Sequence, residues 1–340
     1  MLSSPGQHRY DLINGSPQPT EAEDAVIRAY LPPTEEDKAW LVGELSIDEH
    51  NLQSALDPDE MGRLEFESGH IAIILKHPDT TLELDEDGDF GVDSLGAFLF
   101  PDKLIIVQAD DDPLFEYSTS ERCESPAGAV LNLFYQSISH FMRNLKVIRQ
   151  LSDSIQDNIA RSLDNQALSF MFTLQKSLMY YESALQSNHA VLLELRTNSS
   201  QLGFSERELR FLDDLLVEND QCKGLVDIYS RVLTGLSDAR VSIVNNNLTV
   251  LIKKLTIISL VFLPLNLIAS IGGMSEWTWM TEAIPWPYAY GSLLVGFLLI
   301  GFMTWRLIEK IGVSDHTKRS GNLKRLICRQ DPDDPDICKR

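Results

Sequence analysis

A chain of 340 residues with a formal net charge of −21 has room for roughly two domains and is a poor match for nucleic acid, whose phosphates need clustered Lys and Arg. Its hydrophobic fraction of 44% is ordinary for a soluble protein, yet between Lys254 and Arg306 the only charged residues are Glu276 and Glu282. An acidic body, most of whose charges form a solvated surface, is therefore joined to an apolar hairpin.

The opening MLSSPGQHRYDLINGSPQPTEAED lacks the apolar stretch of a signal peptide. Residues 1–24 are expected to be a disordered tail on the cytosolic side. Residues 25–124 read as a cytosolic α/β domain. AVIRAYLP, ELSID, GHIAIILKH, LGAFLFP and KLIIVQAD are short apolar or alternating runs bounded by Gly, Pro and Asp, which predicts strands. TEEDKAWLVGE and EHNLQSALDPDEMGRLE have helical spacing and acidic starts, which predicts helices. With no Gly-rich loop after a strand, and no nucleophile elbow, P-loop or zincin motif, the chain does not read as an enzyme. Cys123, Cys222, Cys328 and Cys338 lack the close pairing of a zinc or redox motif and are expected to be free thiols.

Residues 125–254 change texture. Val130, Leu133, Phe134, Ile138, Phe141, Leu145, Ile148 and Leu151 recur at spacings of three and four, predicting one long helix. A second is predicted over 165–197. TNSSQLGF breaks it from a third that opens at SEREL, where Ser205 and Glu208 have the spacing of a capping box. The next strong breaker is Pro264, and a membrane helix tolerates it. Continuous over 205–270, that helix would be about 100 Å long, which calls for partners along its length. The alternatives are an oligomerising stalk, or a helical hairpin with a separate membrane anchor.

Residues 255–308 read as two transmembrane helices joined by an extracytoplasmic loop, 273–286. The segment 255–273 gives about 28 Å of helix, enough for the hydrocarbon core, and 288–305 supplies the second span. Trp277, Trp279, Trp286, Tyr288 and Tyr290 form an interfacial belt at the turn, and Trp305 marks the other face. Lys253, Lys254, Arg306, Lys310, Lys318, Arg319, Lys324 and Arg325 all flank one side, including the basic tail 309–340, while the loop has no Lys or Arg. The positive-inside rule then puts both termini in the cytosol of a multi-pass protein of the plasma or bacterial inner membrane.

Two spans cannot enclose a pore, but a ring of protomers can. Asp238, Asn245, Ile252, Ser259 and Asn266 recur every seven residues, with Thr249, Thr256, Leu263 and Ser270 interleaved. Polar groups at membrane depth are costly toward lipid, so this stripe is expected to face a wet axis, unless the hydroxyls simply bond back to their own helix. Asn266, with about four hydrogen-bonding sites, favours the axis or a neighbouring helix.

These residues resemble a known family. VNNNLTVLIKKLTIISLVFLPLNLIASIGGMS is similar to the signature of the CorA family of divalent-cation channels. The resemblance implies a cytosolic α/β domain, a long helical stalk, two C-terminal transmembrane helices and a homopentamer in the bilayer, its first span lining the pore. It implies Mg²⁺ as both substrate and regulator, with Co²⁺, Ni²⁺ or, as in a related branch, Zn²⁺ as alternatives; no His or Cys lies in the spans to ligate zinc directly. Gly272, Gly273 and Met274 match the loop motif that closes the first span, or its approach, but Ser275 stands where the family has Asn, its outer cation filter. A channel fold that has lost conduction and serves as a membrane-tethered cation sensor or scaffold is the reading from another class.

Carried down the helix, the resemblance makes Asn266 and Ser270 polar pore positions. Ser259 lies on the same stripe. Leu263, Leu255 and Ile252 become apolar constrictions, Thr249 a polar position below them, and Asp238 the cytosolic mouth. Asp214 matches an acidic residue that holds regulatory magnesium between subunits. Its partner is left open among Asp79, Asp85, Asp87 and Asp89. Glu276 beside the filter position is expected to concentrate cations at the mouth. A span free of carboxylates suits a hydrated Mg²⁺, which sheds water reluctantly. Amides and hydroxyls hold its shell without trapping it.

Overall fold

The computed structural model describes residues 7–13, 16–22, 24–79, 90–111, 115, 125–159, 165–280, 282 and 284–306. Two compact units divide the chain, Met1–Val241 and Ser242–Arg340.

The first unit is built on a seven-stranded mixed sheet: β1 (Gln7–Ile13), β2 (Ser16–Pro19), β3 (Ile27–Tyr30), β4 (Arg63–Phe66), β5 (Ile71–Pro78), β6 (Val92–Leu99) and β7 (Leu104–Gln108). The spatial order is β2-β1-β3-β7-β6-β5-β4, and only β3 and β7 run parallel. Central strands β5 to β7 are buried on both faces, hence their near-continuous apolar runs. Helices α1 (Glu35–Gly43) and α2 (Glu49–Ser54) cover one face around Leu41, Leu52, Ile74, Phe98 and Ile105.

The other face packs on α3 (Pro126–Ile159) and α4 (Asn165–Thr197); the start of α6 (Glu206–Gly272) joins the same core, with the short α5 (Ser199–Leu202) between α4 and α6. Of the periodic apolar residues predicted for α3, all from Val130 to Ile148 are buried, and Leu151 packs partly buried against them. Phe141 meets Tyr181 of α4 edge-on at 4.8 Å, and Asn144 Nδ2 donates to the Tyr181 hydroxyl at 2.8 Å. Each such buried side chain contributes roughly 1.5–3 kcal/mol.

β4 pairs with β5 only as far as Ile74, which leaves the backbone of Lys76 past the end of its neighbour. Asn188 of α4 takes over that role: Lys76 N donates to its Oδ1 at 2.8 Å, and its Nδ2 donates to Lys76 O at 2.7 Å. Ser137 Oγ of α3 also donates to the same carbonyl, at 2.7 Å. The capping box opens α6: Ser205 N donates to Glu208 Oε2 at 2.8 Å, and Glu208 N donates to Ser205 Oγ at 3.3 Å. Glu208 Oε1 also accepts from Ser125 Oγ at 2.5 Å, and Ser125 Oγ in turn accepts from Gly128 N, so one carboxylate ties the starts of α3 and α6.

Several expectations differ from this picture. Within 1–24, residues 7–13 and 16–19 form a hairpin rather than a disordered tail, because β1 adds to β3 as well as to β2. The division at 124/125 does not separate two bodies, since the sheet's open face needs α3 and α4 as its cover. ELSID is a turn, with Ser46 at φ 54°, and it leads into Asp48 at the start of α2. EHNLQSALDPDEMGRLE stops being helical at Ser54, and its RLE becomes β4. Helix α6 runs unbroken through Pro264 over 67 residues.

Ser242–Arg340 holds the remainder of α6, the six-residue helix α7 (Ser275–Met280), and α8 (Trp286–Arg306), which begins two residues before the span expected from the sequence. The tail 309–340 lies outside the described residues.

Candidate functional site

Taking 100° per residue, Asp238, Asn245, Thr249, Ile252, Leu255, Thr256, Ser259, Leu263, Asn266 and Ser270 fall within an arc of about 120° on α6. All of them are exposed, Leu263 by 67% and Leu255 by 66%. The half-shielded residues of the apolar stretch are Ile257, Val261, Pro264, Leu265 and Ile268. Their centre lies about 160° around the helix from the polar stripe. Helix α8 accounts for that shielding: a Cβ at Gly301 would lie 3.8 Å from a Leu265 methyl. The shielded face of α8 consists of Ala289, Leu293, Gly296, Phe297, Gly301 and Thr304. Small residues let two backbones approach closely where lipid supplies no hydrophobic drive. So α8 packs on one side of α6 and leaves the other side, the polar one, open.

On the open face, three hydroxyls bond back to their own helix: Thr249 to Asn245 O at 2.8 Å, Thr256 to Ile252 O at 2.9 Å, and Ser259 to Leu255 O at 3.1 Å. This is the arrangement left open above, and it leaves the hydroxyl oxygens as acceptors on the surface. Among the described residues, Asn266 has no side-chain hydrogen-bond partner, and its amide presents donors and an acceptor outward.

The turn forms by ordinary helix termination. Gly273 N donates to Ala269 O at 3.1 Å, Met274 N donates to Ile271 O at 3.2 Å, and Ser275 then starts α7. Ser275 and Glu276 are exposed at its first turn. The connection expected as a loop over 273–286 thus contains a helix.

Asp214 is exposed beside a surface cleft of about 420 Å³ that it lines with Arg207, Arg210 and Phe211. Its neighbour one turn on, Glu218, has its carboxyl pushed up, first by burial and second by the Asp214 charge. Asp79 follows the end of β5, its N–H donating to Gly91 O at 3.1 Å. It does not line the Asp214 cleft, and Asp85, Asp87 and Asp89 lie outside the described residues. Among the described residues no group of three or more His, Cys, Asp or Glu converges as a metal site within one chain.

The shielded stripe of α8 had a signal that the sequence reading passed over. Small residues 289, 296 and 301 share one helix face with 293, 297 and 304.

An α/β unit followed by one continuous helix and a second helix, both long and apolar enough to cross a membrane, has the architecture of a membrane protein, and the first of these helices carries a polar face. A family described as CorA-like Mg²⁺ transporter protein matches residues 28–310. The chain belongs to this family of divalent-cation transporters, which is not a family of enzymes. It is 25% identical over 255 residues to the cobalt/magnesium transport protein CorA of Methanocaldococcus jannaschii, spanning 72% of this chain and 77% of that protein. The complete structure of the CorA magnesium transporter from the same organism superposes with a TM-score of 0.70 at 17% identity, over 88% of this chain and 96% of that one. The full-length CmaX protein superposes at 0.67 and 14% identity, over 91% and 100%. At these identities the superpositions establish the shared fold.

Proposed function

We propose that this chain is one subunit of a homopentameric channel that admits Mg²⁺ to the cytosol through an axis lined by the open face of α6. The observation that carries this reading is the opposition of the two faces, with α8 on the Leu265 side and the Asn266 side left bare. A polar face bare toward lipid is costly, and a ring of copies around water relieves that cost. Asn266, Ser270, Ser259 and Thr249 hold the ion's water shell by hydrogen bonds. Leu263, Leu255 and Ile252 close the path by dewetting. Glu276 concentrates cations at the mouth, beside Ser275 and the Gly273–Met274 turn, and Asp238 stands at the cytosolic exit.

Both termini lie in the cytosol, as the one-sided Lys and Arg imply. A doubly charged ion entering through about 100 mV gains about 4.6 kcal/mol, so no ATP is needed. Asp214 of one subunit and an acid from the α/β part of the next, Asp79 or one of Asp85, Asp87 and Asp89, bridge cytosolic Mg²⁺. Losing that ion leaves like charges facing one another and favours the open state. Cobalt stands beside magnesium in the name of the relative from M. jannaschii, and supports Co²⁺ as a second substrate.

The test is ion flux into liposomes holding the purified full chain. The reading expects Mg²⁺ uptake that needs an inside-negative potential and slows as internal Mg²⁺ rises. Intact oligomers that pass no Mg²⁺, Co²⁺ or Zn²⁺ would instead establish the cation-sensor reading that Ser275 raises. Uptake of Zn²⁺ alone would establish the zinc-transporting alternative. Recovery of flux by Ser275→Asn in silent liposomes would place the departure at the filter.

A further inference from the structure

Lysine is rarely buried without a charged partner, because an unpaired ammonium loses its hydration. Lys76 of β5 breaks that rule. It is only 6% exposed, and Asn188 of α4 holds its backbone through both N–H and carbonyl. Its Nζ donates to Pro58 O at 2.5 Å and to Ser94 Oγ at 2.9 Å. Ser94 Oγ gives its own proton to Asp57 O at 2.6 Å, so toward Lys76 it acts as an acceptor. Both partners are neutral oxygens, and among the described residues Nζ forms no ion pair.

A neutral amine has two N–H donors and a lone pair, whereas an ammonium has three donors. Two acceptors satisfy the amine completely and would leave a buried ammonium one bond short. Burial is the largest influence on Lys76 and lowers its pKa, while the charges of Asp93, Asp59, Asp57 and Glu60 oppose it. Desolvation of this kind is what turns a lysine into a nucleophile. The amine is not sealed in. Lys76 lines a cavity of about 390 Å³ together with Asp59, Glu60, Val92, Tyr180 and Ser183.

We infer that Lys76, bonded only to Pro58 O and Ser94 Oγ at the wall of this cavity, is a nucleophilic amine that forms a reversible imine with a small uncharged aldehyde. The Nζ lone pair attacks the carbonyl carbon and makes a C–N bond. The carbonyl C–O bond then breaks, and the oxygen leaves as water with one hydrogen from Nζ and one proton from solvent. The nitrogen keeps its other hydrogen and a positive charge, as a protonated imine. The surrounding acids select this chemistry. Acylation would put a neutral group, and capture of carbon dioxide a negative one, where four carboxylates favour a cation. The same carboxylates repel an anionic aldehyde. All the residues involved belong to the first unit, so the site stands or falls independently of ion conduction.

The full chain in detergent is treated near neutral pH with propanal and sodium cyanoborohydride, which reduces an imine to a stable secondary amine. Mass spectrometry of the digested chain then gives the labelling rate of each lysine. Lys76 is expected to label about tenfold or more faster than the exposed Lys146 of α3, because each unit of pKa lowering raises the neutral fraction tenfold. Its labelling is expected to persist to lower pH than that of a lysine in a short peptide. In urea the preference for Lys76 is expected to vanish, since burial creates it. Glyoxylate, which carries a negative charge through the same reaction, is expected to favour Lys76 over Lys146 less than propanal does. Labelling of Lys76 no faster than of Lys146, a pH dependence matching the peptide, a preference that survives urea, or an equal or greater preference with glyoxylate overturns the inference.

Discussion

The sheet unit and the C-terminal helices treat the same residue types in opposite ways. In the sheet unit, leucines such as Leu174, Leu178 and Leu185 are fully buried against the chain's own helices and strands. In the apolar part of α6 and in α8, leucines such as Leu263, Leu294 and Leu298 are more than 60% exposed. The first set finds its apolar partner within the chain. The second set needs partners from outside it, which on the proposed reading are lipid on most faces and other copies along the polar stripe. Folding physics is the same in both regions, and what differs is the solvent that each was selected to meet.

The largest effect expected from breaking that contrast is functional. Asn266→Leu replaces an amide on the open face with the apolar group found on every other face, and is expected to abolish Mg²⁺ flux in liposomes while assembly on a sizing column is unchanged. Retained flux would remove the polar stripe from the conduction path.

Next comes one substitution made in both regions. Leu174→Ala empties a fully buried site and is expected to cost about 2–5 kcal/mol in thermal unfolding of the whole chain in detergent. Leu263→Ala, on an exposed face, is expected to cost no more than about 0.5 kcal/mol. Its effect should appear instead as faster flux, because a constriction widens. Equal costs would mean that residue 263 is packed inside the protomer.

Smaller effects sharpen the picture of the sheet unit. Asn188→Ala strands a buried N–H past the end of β4 and deprives the Lys76 carbonyl of one of its two side-chain donors, which is expected to cost roughly 1–3 kcal/mol. Ser205→Ala removes half of the capping box at the start of α6 and is expected to cost about 1 kcal/mol.

The smallest effect is a pH dependence. His70, stacked on Phe100 at 5.0 Å, has its pKa lowered by burial, with the Glu67 charge opposing. The folded state then binds the proton less well than the unfolded state, whose imidazole titrates near about 6.5. Its stabilising contribution is therefore fully present above that value and is lost as pH falls below it toward the folded pKa. His70→Gln should flatten that part of the pH–stability curve, and an unchanged slope would assign the acid sensitivity elsewhere.

Much of this was legible before the structure. A second helix was marked at 165–197, where α4 stands, and Ser205 with Glu208 marked the start of α6. Both signals are local, and no distant segment competes with them. The β1–β2 hairpin was not legible, because HRYDLI and SPQP are weakly apolar; HRYDLI forms a strand by pairing with β3, and SPQP by pairing with HRYDLI. ELSID alternates like a strand, but Ile47 is drawn into the α1–α2 core and its N–H donates to Leu41 O, which holds the segment as a turn.

The heptad stripe was readable as a face of α6, but its role was not. A period of seven marks residues that share a side and says nothing of what lies against it. That knowledge required α8, whose Gly301 and Ala289 show that its seat is on the far side. The acid proposed to face Asp214 was unreadable for the same reason, since a contact between copies would leave no period in one chain.

The central claim is tested most directly by imaging the full chain in lipid nanodiscs at side-chain detail. The account predicts a closed ring whose water-filled axis is lined by Asn266, Ser259 and Ser270, with α8 outermost. A monomer, or a ring with Asn266 turned to the acyl chains and Leu265 inward, would contradict it.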